Sequence, residues 1–332
     1  CFQTLIEIGF TPHRISQFSD VLDQDQFTQE IQLLGSYDRT QWVAGFYYFS
    51  EDGTNTNILD FTVSNFRSGG DFDNEAWAAF AQVTYDVTED LHLTLGGRYT
   101  DEQKSFTPDQ IIFQNYYAGI SQVVPPGNPL APLDAPFLQA GGRILPLLEK
   151  EIEVSEFTPT VNLAYDISDD VMVYFNYSEG FKSGGFTQRV FPPVVAGFTA
   201  PPGTPDIDLI PTYDPEFVEV AEIGFKAVLA EGKLRLNGAV FTTDYDELQV
   251  QVFNSVAPVT RNLGQASIEG LELEALFAPG AGWLVEGSFA YLDANYDNID
   301  TSITLISESF DFERVPDVAA SLGVSKEFQM DD

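Results

Sequence analysis

The residues that could carry chemistry in this 332-residue chain are few and scattered. Its two histidines, His13 and His92, lie far apart, and Cys1 is the only cysteine. There is no GxSxG, no HExxH, no phosphate loop and no cysteine spacing suited to a metal. Neither catalysis nor a bound cofactor is expected. With 51 acidic side chains, carboxylate pairs arise by chance and mark no acid–base site. The best metal candidate is DANYDNID at 293–300. There Asp293, Asn295 and Asp297 match the first three oxygen ligands of a calcium loop. The sixth position, however, is Asn298 where glycine makes the turn, and the twelfth is Thr304 where glutamate belongs. A loose divalent-cation loop and a plain solvated loop both fit this pattern.

Side chains that bind a solute need a scaffold, and composition narrows its type. The chain carries 51 Asp and Glu against 15 Lys and Arg, a formal net charge of −36. That balance excludes nucleic acid as a partner, because phosphates require a basic footprint. Apolar residues make up 44 % and aromatic residues 14 %, a load that disordered chains lack. A single cysteine allows no disulfide within the chain. No apolar run approaches the roughly 20 residues of a membrane helix, and residues 1–30 show no charged start followed by an apolar stretch. A β-barrel strand needs only about 9–11 tilted residues and escapes that test.

Alternation of period two recurs along the chain. In LHLTLGGRYT at 91–100, Leu91, Leu93, Leu95, Gly97 and Tyr99 share one side, and His92, Thr94, Arg98 and Thr100 the other. FTPTVNLAYD at 157–166 and WLVEGSFAY at 283–291 repeat the pattern. A soluble sandwich would also alternate. Here, though, aromatics sit at the strand ends: Trp77 and Tyr85, Phe157 and Tyr165, Phe175 and Tyr177, Trp283 and Tyr291. Two aromatic belts around an apolar band describe a lipid-facing barrel. Short turns near Tyr37–Thr40, Asp86–Asp90, Asp166–Asp170, Ala230–Gly232 and Ala278–Gly282 alternate with long connections near 51–74, 101–156, 179–215, 253–264 and 293–314. Short periplasmic turns opposite long extracellular loops fit the same architecture. The expectation is an all-β, antiparallel transmembrane β-barrel. About twelve strands are predicted, near 2–10, 27–36, 41–50, 75–85, 91–100, 157–165, 171–178, 216–229, 233–252, 265–277, 283–292 and 317–328.

In such a scaffold, solute contacts belong on the loops and the upper inner wall. The 101–156 loop offers Phe113, Tyr116, Tyr117, Phe137 and Arg143, and the 179–215 loop Phe186, Arg189 and Phe198. Arg98 and Asn176 point to the polar side near the outer rim, and Lys182 adds a lumen or rim charge.

The string YSEGFKSGGF at 177–186 resembles a segment midway through the barrel of TonB-dependent outer-membrane receptors. FTQEIQLLG at 27–35, AWAAFAQVTYDVTEDLHLTLGGRYT at 76–100, YDPEFVEVAEIGFKA at 213–227, FTTDYDELQVQVFN at 241–254 and NLGQASIEGLELEA at 262–275 are similar to that family's strands, in the same order. The resemblance implies a receptor that binds a scarce, bulky solute outside, most commonly a ferric siderophore. Release then requires the TonB complex to act on an N-terminal plug. Lipopolysaccharide and outer-membrane lipid are implied as surroundings, and a small-molecule or metal-chelate as ligand.

Neither the plug nor a terminal aromatic strand is found between Cys1 and Asp332. Large transporters of this type have about 22 strands, so the whole chain is expected to be one partial barrel domain supplying about half of them. An open sheet edge in lipid leaves N–H and C=O groups unpaired at several kcal/mol each. Two other functions stay open on the residues alone: a passive porin that closes at about twelve strands, and a soluble all-β binding protein.

Overall fold

A computed structural model of the chain describes residues 16–61, 64–115, 141–143, 145–188, 206–254, 257–299 and 307–328. Its elements are β1 (Ser16–Tyr37), β2 (Thr40–Phe61), β3 (Ser64–Asp86), β4 (Leu91–Pro108), β5 (Ile111–Asn115), β6 (Lys150–Ser168), β7 (Val171–Lys182), β8 (Gly185–Phe186), β9 (Thr212–Tyr213), β10 (Glu216–Leu229), β11 (Leu234–Asp246), β12 (Gln249–Asn254), β13 (Ala257–Asn262), β14 (Gln265–Gly280), β15 (Trp283–Asp297) and β16 (Val318–Lys326). One antiparallel sheet runs β1-β2-β3-β4-β6-β7-β10-β11-β14-β15-β16, with β5 attached to the start of β3. β12–β13 and β8–β9 form two small hairpin sheets of their own. Among the described residues β1 and β16 pair on one side only.

The ladder keeps side chains in register by face. Trp77, Ala79, Ala81, Val83 and Tyr85 of β3 lie on one face, opposite Tyr48, Phe46, Ala44, Trp42 and Thr40 of β2. Their neighbours on β4 are Tyr99, Leu95 and Leu93, followed by Phe157, Val161 and Leu163 on β6. From Trp77 to Tyr85, eight steps of about 3.3 Å span about 26 Å along the strand. A strand tilt near 40° reduces this to about 20 Å, close to the ~25 Å apolar band of outer-membrane barrels. No charged side chain occupies this face between the belts of β3, β4, β6 or β15. Ile31, Leu33, Ile223 and Leu322 stand exposed on it, the arrangement of a lipid-facing barrel surface. The upper belt is continuous across strands: Phe46 stacks on Trp77 with ring centroids 6.2 Å apart, and Trp77 packs on Tyr99 at 5.5 Å.

The opposite, inner face is polar. Gln82, Thr84, Thr94, Arg98, Thr158, Asn162, Asn176 and Glu222 alternate with the apolar set. Near the short-turn end, His92 bridges two similar turns, with Nδ1 2.6 Å from Asp86 Oδ1 and Nε2 3.2 Å from Asp166 Oδ2. The short turns themselves are linked: Asp86 N donates to Arg39 O, and Asp166 N to Asp90 O.

Strands outrun the expected loops. Residues 51–74, expected as a loop, instead extend β2 and β3, whose pairing continues to Phe61 and Ser64. Asn, Gly and Ser in that stretch read as loop composition. Yet Leu59 and Phe66 fall on the inner face and are buried there, and the ladder bonds need no particular side chain. β4 likewise continues to Pro108, where the missing N–H interrupts the ladder, and β5 resumes pairing with β3. β15 continues to Asp297, so 293–297 is strand rather than loop. The predicted strand 233–252 splits into β11 and β12 around Glu247, whose φ is +53°. The expected loop 253–264 contains β13. The predicted strand 2–10 lies outside the described residues.

Buried apolar residues gather at the long-loop end. Phe66, Phe106, Ile112, Leu145 and Ile210 form a small core there. Residues 141–142 pair with β5, since Ile112 N donates to Gly142 O and Gly141 N to Ile112 O.

Candidate functional site

Period two carries the inner-face positions of β1–β4 upward past the aromatic belt. They converge on a cavity of about 360 Å³ at the long-loop end. Leu22 and Gln24 come from β1, Glu51 and Asn55 from β2, Phe72 and Asn74 from β3, and Lys104 and Phe106 from β4. Gly184, Phe186, Gln188 and Tyr213 close it from the segment after β7 and from β9. A second cavity of about 220 Å³ lies alongside, sharing Lys104, Gly184 and Tyr213 and adding Glu102, Ser183 and Asp214. The first volume falls in the range of small-ligand pockets.

Several polar groups on the wall are held. Asn74 Nδ2 donates to Glu51 Oε2 at 2.9 Å. Lys104 Nζ lies 3.0 Å from Glu102 Oε1 and donates to Gly184 O at 3.1 Å. The rings of Phe106 and Phe186 pack 5.5 Å apart. Burial pushes the Tyr213 phenol up, so it stays protonated as a hydrogen-bond donor. Tyr213 also explains the Gly184-Gly185 pair: a Cβ on Gly184 would sit 2.6 Å from the Tyr213 carbonyl oxygen, and one on Gly185 would strike its hydroxyl. Only glycine lets the two segments approach so closely.

Two hydrogen-bonded clusters fasten the surroundings. Asp109 accepts from Arg143 Nη1 at 2.8 Å and pairs with Arg67 Nη2 at 2.5 Å, joining β3 to residues 141–143. Beside it, Gln110 is fully buried and donates to Gln188 O at 3.0 Å. Across the rim, Gln249 Nε2 donates to Ser183 O and Asp214 O, while Asn262 Nδ2 donates to Asp214 O and Glu247 O.

The sequence-predicted contacts distribute unevenly. Arg98 lies on the inner face, below the cavity; its guanidinium sits over Tyr47 (5.4 Å) and Phe80 (5.7 Å), and its Nε donates to Thr100. Asn176 is on the inner face of β7, opposite Asn162 and Glu222. Lys182 ends β7 and does not line the cavity. Arg143 is engaged by Asp109. Tyr116, Tyr117 and Arg189 lie outside the described residues. Asp293, Asn295 and Asp297 share the outer face of β15 above Tyr291, where Asn295 donates to Asp293. Among the described residues no cluster of three His, Cys, Asp or Glu side chains is arranged to hold a metal. Sequence reasoning missed Glu51, Asn55, Phe72, Asn74 and Lys104. Counting by twos from Trp42, Trp77 and Tyr99 would have put all five on the inner side.

Comparison with known proteins agrees with this architecture. The family model described as TonB dependent receptor-like, beta-barrel, matches residues 7–330. A ferric-pyoverdine 358 receptor of Pseudomonas putida is 23% identical over 239 residues, covering 70% of this chain and 22% of that protein. Among solved structures, the ferric yersiniabactin uptake receptor of Yersinia pestis superposes with a TM-score of 0.70 at 17% identity, over 96% of this chain and 42% of that one. The ferripyoverdine receptor of the Pseudomonas aeruginosa outer membrane gives 0.58 at 15% identity, over 95% and 37%. The chain thus spans about a fifth of the length of the curated relatives it matches. With its belts, polar inner face and matching family model, the chain belongs to the TonB-dependent receptors and forms part of their β-barrel in the Gram-negative outer membrane.

Proposed function

We propose that this chain is part of the barrel wall of an energised importer for a ferric siderophore. The observation that carries the reading is the cavity at the long-loop end, built by strand residues of a wall whose family model matches residues 7–330. The chelate enters from outside and settles against Phe72 and the polar groups around it. Tyr116, Tyr117 and Arg189 supply further contacts to the chelate. Arg98 and Asn176 line the path below, and Lys182 and Arg143 act at the rim. A plug lies elsewhere in the protein, with residues 1–332 serving as barrel alone. Force from the TonB complex on that plug releases the solute inward. Lipid and lipopolysaccharide cover the apolar face, and Asp293, Asn295 and Asp297 meet their headgroups through divalent cations. No catalytic step is involved.

The test is uptake of radiolabelled iron chelates by cells with the gene intact or deleted, under iron limitation. The expected result is loss of uptake of at least one chelate on deletion, and the same loss when TonB is removed. Uptake that survives TonB removal, together with steady open-pore conductance in planar bilayers, would establish a passive porin instead.

A further inference from the structure

We propose that the mouth of this receptor selects ferric chelates without net negative charge, of the neutral or cationic hydroxamate kind, and rejects the trianionic tris-catecholate complex. The inference rests on the siderophore reading above and specifies the substrate class of the same cavity.

Charge decides the matter. Iron(III) bound by three hydroxamates has no net charge, whereas three catecholates leave it at −3. A site for the trianion needs unengaged cations facing the ligand. Among the described residues, one cation lines the cavity, Lys104, and its ammonium is taken by Glu102 Oε1 and Gly184 O. Of the neighbouring cations, Arg67 and Arg143 share Asp109 and Lys150 Nζ donates to Ile210 O at 2.9 Å, while Lys182 ends β7 outside the lining. The carboxylate of Glu51, by contrast, faces the cavity, with Asn74 as a neutral donor beside it.

The remaining lining suits an uncharged chelate. Gln24 and Gln188 bring amides able to donate to hydroxamate oxygens, and Phe72 covers apolar linkers. The overall charge adds to the selection. The chain carries 51 acidic side chains against 15 basic, a formal net charge of −36. Such a field slows an anion on its way in and concentrates cations.

The experiment measures binding to the intact receptor in detergent, by quenching of tryptophan fluorescence. The probes are iron(III) complexes of one tripodal scaffold carrying either three hydroxamate or three catecholate arms. The expected result at low salt is a neutral complex bound about tenfold or more tightly than the trianion, with the gap shrinking as salt shortens the screening length. Glu51→Gln with Glu102→Gln should narrow the gap further by tightening trianion binding. The wild-type salt series tests the same point without relying on a variant that must fold. Trianion binding equal to or tighter than neutral binding, or a gap insensitive to salt, would overturn the inference and leave the importer reading standing. If neither complex binds, the siderophore reading falls and this inference with it.

Discussion

Gly224 offers a sharp test of how the wall is packed. It faces Tyr174 directly across the β7–β10 ladder. A Cβ there would lie 2.5 Å from the ring's Cζ and hydroxyl oxygen. The ring has little room to yield, because its O–H donates to Glu222 Oε1 at 2.6 Å and Lys226 Nζ lies 5.8 Å from its centre. In Gly224→Ala, either the ring leaves its rotamer or the strands separate. Overpacking of this kind costs about 1–3 kcal/mol, and losing a hydrogen bond to a carboxylate adds about 1.5–3 kcal/mol, less where lumen water replaces it. The combined loss is about 2–4 kcal/mol. Gly287 is the matched control. It sits on the lipid face of β15, where an added Cβ meets nothing nearer than Ser321 O at 3.5 Å. There Gly287→Ala should lie between neutral and about 1 kcal/mol stabilising, through the unfolded chain. The assay is equilibrium unfolding of the receptor in urea and lipid vesicles, followed by tryptophan fluorescence. Tyr174→Phe should cost less in the Gly224→Ala background than alone, since the hydrogen bond is already broken. If Gly224→Ala falls within about 0.5 kcal/mol of Gly287→Ala, the close-packed ring–glycine account is wrong.

Three further tests address other parts of the wall. Val161 lies midway between Phe157 and Tyr165 on the outer face, so Val161→Arg should cost about 2–4 kcal/mol in a bilayer. Asn162→Arg, one residue on and facing inward, should cost far less; the reverse ranking in vesicle unfolding would show that the faces are misassigned. At Asp109, burial pushes the carboxyl up, but hydrogen bonds from Arg143 and Arg67 outweigh it and hold the group below its ordinary value. The depressed folded value means that this anchor is complete above the unfolded value of about 3.9 and fades as pH falls through the lower, folded one. Hydrogen exchange read by mass spectrometry should show residues 109–112 and 141–143 losing protection only below about pH 4, and Asp109→Asn unprotected there already at pH 7; wild-type protection that persists to strongly acid pH speaks against the anchor. Gln249→Ala removes the donor to Ser183 O and Asp214 O, so exchange should rise in β8, β9 and the β12–β13 hairpin while β6 and β7 stay protected. Unchanged exchange in those hairpins would show that the clasp is dispensable.

The membrane-level part of the fold was legible because lipid imposes a strict rule on one face. Trp77 to Tyr85, Phe157 to Tyr165 and Trp283 to Tyr291 each mark a strand's crossing at the same eight-residue interval, and the turns between them fall where expected. Above the belt that rule lapses, since both faces meet water or loops. Composition then misleads, as at Gly53-Thr-Asn-Thr-Asn57, which reads as loop and forms strand. The candidate site suffered most. Its residues lie on those upper extensions, so reading 51–74 as a loop removed Glu51, Asn55, Phe72 and Asn74 from the inner wall. Arg143 was recognisable as a charge in a functional loop. Its engagement by Asp109 depends on β4 breaking at Pro108 and returning as β5, a tertiary event with no local signal.

The two faces of each strand answer to different solvents, and this has a consequence for how selectivity is built. Along β3, Trp77 and Tyr85 fix depth in the membrane, while Phe72 and Asn74, on the opposite parity and some 10–17 Å above Trp77 at about 3.3 Å per residue, line the cavity. Because side chains alternate, a change at an inner position leaves the lipid face and the ladder untouched. Because the cavity residues of β1–β4 are borne on paired strands, their positions are set by backbone hydrogen bonds rather than by loop conformation. A ligand therefore meets a preorganised wall and loses little affinity to ordering it. On the proposed importer reading, exchange of Glu51, Asn55 and Asn74 for other polar residues should thus alter which chelate is held without altering insertion.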